Sequence, residues 1–153
     1  MDIRSLNNLK KYIKGWFNSN PFINTVVVSS KNDFNSINDI NYPVVHVEYV
    51  NTSTNPTYNV YTFSFSIADI QNNKIEYKNV DDIHNDTQLV AQDFIDFHSI
   101  NDVFEIDENI QIVPFVEENT DRTAGVTFAV RISIFRDKNT CIIPTINTVK
   151  DGD

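Results

Sequence analysis

Residues 58–67 read YNVYTFSFSI, and they alternate strongly. Tyr61, Phe63, Phe65 and Ile67 fall on one side; Tyr58, Val60, Thr62, Ser64 and Ser66 fall on the other. Successive side chains of a strand point to opposite faces, so a period of two marks a half-buried antiparallel strand. Residues 126–136, VTFAVRISIFR, repeat the pattern. Val126, Phe128, Val130, Ile132 and Ile134 point inward, with Thr127, Arg131 and Ser133 outward. Two strands this aromatic on one side require a cover, and the rest of the chain must supply it.

Upstream, Val45, Val47 and Tyr49 alternate with His46 and Glu48, so residues 43–50 form another strand. The turn-rich NTSTNPT of 51–57 joins it to the first. TVVVSS at 25–30 is a short buried strand. Before it, Ile3, Leu6, Leu9, Ile13, Trp16 and Phe17 keep helical spacing, and Asn18, Asn20 and Pro21 end the helix. Downstream, 81–99 (DDIHNDTQLVAQDFIDFHS) returns to the helical period. Its stripe is Ile83, Val90, Phe94 and Phe97 with Thr87 between them, and Asp81 or Asp82 is the expected cap. Residues 109–116 read as a strand in which Pro114 marks an edge or a bulge. The order predicts an α+β fold: an antiparallel β-sheet with an N-terminal helix and a central helix packed on one face. Phe63, Phe65, Phe128, Val130 and Ile132 should meet Phe94, Phe97 and Trp16 in the core. A single domain is expected over 1–144, with a polar C-terminal tail at 145–153.

The chain has 153 residues, 12 basic and 21 acidic side chains, and a formal net charge of −9. That balance disfavours a surface that neutralises phosphates, and equally a basic membrane-surface helix. No apolar run reaches the length of a membrane span, and the amphipathic MDIRSLNNLKKYIK has no signal-peptide core; the expectation is a chain that folds in a cytoplasm. One cysteine, Cys141, excludes an intramolecular disulfide. The 21 Asn and 19 Ile point to AT-rich codons, and 3 Gly disfavour glycine-loop nucleotide sites. Arg4, Lys10, Lys11 and Lys14 form the only basic cluster, either a solvated helix face or a docking face for an acidic neighbour.

Catalytic signatures are missing: no GxSxG, P-loop, GxGxxG, HExxH or EF-hand loop occurs. His46 reads as a surface or interface residue. His84 and His98 share a helix face but lie about 21 Å apart along it, too far to hold one metal. Asp81, Asp82, His84 and Asp86 read as an acidic helix start, and Cys141 as a packed thiol. The pairs Asp107/Glu108 and Glu117/Glu118 point to opposite faces of extended chain, so they make no acid–base dyad. The Asn51-Thr52-Ser53 sequon has no meaning without secretion. The expectation is a protein that is not an enzyme and uses no cofactor or metal.

Several strings carry a resemblance: NYPVVHVEYV, then YNVYTFSFSIADI, HNDTQLVAQDFIDF, PFVEENTDRTAGVTFAVRISI and a closing CIIP. Over residues 40–144 the chain resembles the tail-terminator and head–tail connector proteins of tailed bacteriophages, and is similar to small neck proteins of crAss-like phages. The resemblance implies a tail-terminator-like fold and a structural protein located in the neck or tail of a virion. It implies a homo-oligomeric ring, six-fold or twelve-fold, that contacts adjacent neck, portal or tail proteins. DNA would pass through the lumen without specific binding, and no membrane would be involved. Two other classes stay open: a soluble acidic partner-binding module (adaptor or inhibitor) and a small enzyme with an unrecognised site.

EENTDRTAG, 117–125, is the candidate subunit contact. Glu117, Glu118, Asp121 and Arg122 place opposite charges in one loop, where one copy's Arg122 can meet another copy's carboxylate. The competing reading is a solvated hairpin loop.

Overall fold

The computed structural model describes residues 3–71, 77–117 and 122–136. The first helix, α1 (Leu6–Asn18), is capped by Ser5, whose hydroxyl accepts the Asn8 N–H at 3.2 Å. Strand β1 (Thr25–Val28) and a short helix α2 (Lys31–Asn35) follow, then β2 (Val44–Thr54) and β3 (Tyr58–Ile70). The long helix α3 (Tyr77–Ile100) leads to β4 (Glu105–Ile106), β5 (Val113–Glu117) and β6 (Thr123–Phe135).

The six strands make one sheet in the order β1-β2-β3-β6, and β6 carries both β4 and β5 on its far edge. β3 and β6 pair along their whole length, with Phe65 opposite Phe128 and Phe63 opposite Val130. The pairing puts both aromatic stripes on one face, as the alternation requires. There Phe65 stacks on Phe128 at 4.9 Å and meets Phe94 of α3 at 5.2 Å and Phe17 of α1 at 5.9 Å. Phe17 and Phe94 stack at 5.1 Å, so α1 and α3 close over the sheet together. The α+β class and the two helices on one face are as the sequence predicts.

Four expectations need correction. The sheet is mixed, not purely antiparallel: β1 runs parallel to β2, with Val26 opposite Val45. The chain between them carries α2, which the periodicity does not announce. Five residues are too few for a helical stripe, and their anchors are polar: Ser30 accepts the Asp33 N–H, and the Glu48 carboxylate accepts the Lys31 N–H at 2.8 Å. Helix α3 begins at Tyr77, so Asp81 and Asp82 lie inside it and cap nothing. Its buried stripe is Ile83, Thr87, Val90, Ala91, Phe94 and His98; Phe97 is 41% exposed and touches Trp16 from the flank. β2 continues to Thr54, which leaves only 55–57 as the turn. In that turn the Asn55 side chain accepts the N–H groups of Thr57 and Tyr58, at 2.8 and 2.7 Å.

Pro114 sits on β5, a strand that pairs only with β6, as an edge position allows. The boundary at 144, the 145–153 tail and Cys141 lie outside the described residues.

Candidate functional site

Of the four loop residues singled out for a subunit contact, the structure places two. Glu117 ends β5, exposed, opposite Thr123 of β6. Arg122 is also exposed and has φ 40, a left-handed conformation uncommon outside glycine. Glu118 and Asp121 lie outside the described residues. Gln71, which the sequence does not single out, holds the base of the loop. Its backbone N–H donates to the Arg122 carbonyl at 2.9 Å, and its side-chain amide donates to the carbonyls of Glu117 and Thr123. Both strands that flank the loop are thereby tied to the end of β3. A lone glutamine after a strand has no periodicity to betray such a role.

Each histidine is held by a backbone carbonyl. His46 is not at the surface: it is 6% exposed, donates from Nε2 to the Ser29 carbonyl at 3.0 Å, and lies flat against Phe34 of α2 at 4.3 Å. The reason is α2, which brings Phe34 onto the side of the sheet opposite the two long helices. His84 donates to the Phe115 carbonyl at 3.0 Å and so ties α3 to β5. His98 is fully enclosed and stacks on Phe104 at 4.7 Å. Its Nδ1 donates to the Phe94 carbonyl, which leaves Nε2 to accept from the Tyr12 hydroxyl at 2.7 Å. Burial lowers the His98 pKa, against the pull of the Phe94 bond, and raises that of the Tyr12 hydroxyl. The geometry suits a neutral imidazole that pins α1 to α3.

Carboxylates also serve structure. The Asp107 side chain accepts the Arg131 N–H at 3.2 Å, in the stretch of the β6 edge between its pairings with β5 and β4. Asp69, half-buried at the end of β3, has a raised pKa: burial raises it, the Ile70 N–H lowers it, and the Asp86 carboxylate on α3 adds to the rise. Among the described residues no group of three His, Cys, Asp or Glu side chains could hold a metal ion.

The side of the sheet away from the two long helices is only partly covered among the described residues. α1 and α3 lie on the aromatic face, and α2 reaches the opposite face with Phe34 at His46. At one end of that face the Tyr58 and Phe135 rings lie 4.7 Å apart beside Val60, and in its middle, across β3 and β6, stand Thr62, Ser64, Ser66, Thr127, Ala129, Arg131 and Ser133. In that middle, Ala129 and Arg131 are exposed and the others half-buried. The register of β1 ends at Val28 opposite Val47, so Glu48–Thr54 of β2 has a strand partner on one side only. That free edge and the turn beyond it form an exposed arm from Val50 to Thr57. No described helix is long and apolar enough to cross a membrane.

Comparison with protein-family models, curated proteins and solved structures returned no match for the chain.

Proposed function

We propose that this chain is a structural subunit that assembles with copies of itself into a ring in the neck or tail of a tailed bacteriophage. There it would join or complete the head–tail junction, against adjacent neck, portal or tail proteins. The observation that supports assembly is the division of the sheet. One face of β3 and β6 is packed with rings, while the middle of the other carries mostly small side chains with Ala129 and Arg131 exposed, beside a stretch of β2 from Glu48 to Thr54 that has a strand partner on one side only. An exposed face beside a singly paired strand gives a neighbour both a surface and a backbone ladder to meet. The phage setting, and the six-fold or twelve-fold symmetry, rest on the resemblance of the sequence strings. A net charge of −9 is in keeping with a lumen through which DNA slides without being held.

Sedimentation velocity and negative-stain imaging of the purified chain test the reading. Closed rings of six or twelve copies are expected. A single monomeric species at every protein concentration would overturn the ring and favour the partner-binding module. Immunogold labelling of particles tests the setting, with label expected at the neck or tail tip.

A further inference from the structure

The exposed faces of α1 and α3 carry opposite charges. α1 contains Lys10, Lys11 and Lys14 and no carboxylate. From Asp81 to Ile100, α3 contains Asp81, Asp82, Asp86, Asp93 and Asp96 and no lysine or arginine. The aspartates are not scattered. Asp82, Asp86, Leu89, Asp93, Asp96 and Ile100 follow one another at spacings of four and three, so they line one stripe of the helix, and all six are exposed. Leu89 is 52% exposed and Ile100 81%. Like charges at such spacings oppose each other on an isolated helix, and large apolar side chains between them gain nothing from water. Asp69 beside Asp86 adds a further carboxylate to the same region.

α1 offers the complement. Lys11 and Lys14 are exposed, with Asn7 and Asn18 on the same stripe. Lys10 leans over the Tyr49 ring at 5.4 Å, on the β2 side of the helix. Lys11 and Lys14 are three residues apart, as are Asp93 and Asp96, so both pairs have an axial offset of about 4.5 Å. Lysine stems can lie over Leu89 and Ile100 while the ammonium groups reach the carboxylates. A second copy of a chain with net charge −9 is repelled at most approaches, and the lysines of α1, clustered in sequence, offer it a cationic place to land.

We propose that α1 of one copy docks on the Asp82–Ile100 stripe of α3 of the next, with Lys11 and Lys14 against Asp93 and Asp96. The contact joins two different surfaces, so it repeats head to tail, and it builds a ring where its rotation closes. It rests on the ring reading above and names the surfaces that would build it.

The test is sedimentation velocity at low and high salt on three proteins: wild type, Lys11→Glu/Lys14→Glu, and Asp93→Lys/Asp96→Lys. All four positions are exposed, and circular dichroism confirms that each variant is folded. Each double reversal is expected to weaken self-association about tenfold or more, and high salt to weaken the wild type. Mixing the two variants should restore assembly, because each supplies the charge the other lacks at both contacts. Reversals that leave wild-type rings intact would overturn this interface and spare the ring reading, as would a mixture that fails to reassemble. A mixture that stops at a one-to-one dimer would overturn the head-to-tail geometry. A wild type that never associates would fail the ring reading itself, and the interface with it.

Discussion

The two faces of β3 and β6 are made by alternate residues of the same chain and live under opposite rules. On one, Phe63, Phe65, Phe128 and Val130 are buried against helices, ring on ring. On the other, one residue away, Ser64, Ser66, Thr127 and Ala129 are small and at least partly exposed. The aromatic face needs only this chain to explain it: it buries what would otherwise be costly in water. On the other face the Thr127 hydroxyl donates to the Phe65 carbonyl at 3.0 Å, while Ala129 and Arg131 stand exposed and open to whatever meets them. Stability and assembly should therefore separate residue by residue along these strands.

The sharpest break of that comparison is a pair of neighbours. Phe65→Ala empties a site among Phe17, Phe94 and Phe128 and should cost about 3–5 kcal/mol in urea unfolding. Phe128→Ala should behave alike, whereas Ser64→Ala should stay within about 0.5 kcal/mol. Equal costs at Phe65 and Ser64 would mean that the outer face is packed as well.

At Gly125 the backbone of β3 occupies the space that a Cβ would need. A Cβ there would lie 1.8 Å from the Ile67 carbonyl oxygen, a backbone atom with no freedom to turn aside. Gly125→Ala should cost about 3 kcal/mol by forcing the β3–β6 ladder apart, read as a lowered unfolding midpoint. Gly15 in α1 is the control: open space surrounds its missing Cβ, so Gly15→Ala should stabilise by about 0.5–1 kcal/mol.

Much of this was legible in the sequence, for a local reason. Alternation along 58–67 and 126–136 is a property of neighbouring residues, and it announces both strands and their inner faces. The parallel pairing of β1 depends on where the chain returns after α2, which no local pattern encodes. His98 takes the place that spacing gave to Phe97 because positions three and four along both fit a helix stripe; Tyr12, 86 residues away, offers the partner that lets a histidine be buried. For the candidate interface, the sequence announces the charges of α1 as a cluster. It does not announce the α3 stripe as exposed, because which side of a helix faces out is decided by the sheet below it.

The pH dependence sharpens the comparison on its helix side. Burial holds the His98 pKa below its ordinary 6.5, so at pH values between the two the unfolded chain binds more protons than the folded one. The contribution of His98 to stability is therefore present above pH 6.5 and is lost as the pH falls through the folded value. His98→Gln should cost about 1–3 kcal/mol at neutral pH by breaking the link to Tyr12. It should also flatten the decline of the urea midpoint on acidification; an unchanged decline would place the acid sensitivity elsewhere.

The smallest effect on the subunit should be the largest on the assembly. Ala129 sits in the middle of the open face, opposite Ser64, and is exposed. Ala129→Lys adds a long charged side chain where the free subunit has only water, so its unfolding free energy should change by no more than about 0.5 kcal/mol. If a neighbour lies on this face, the lysine must be desolvated or must push that neighbour away, and ring formation in sedimentation velocity should fall sharply. Rings of wild-type yield with Ala129→Lys would show that the face looks into solvent in the assembly. The contacts would then belong to α1, α3 and the free edge of β2 alone. Loss of rings together with loss of stability would mean instead that the face is not open in the subunit, and the separation of the two faces would fail at its centre.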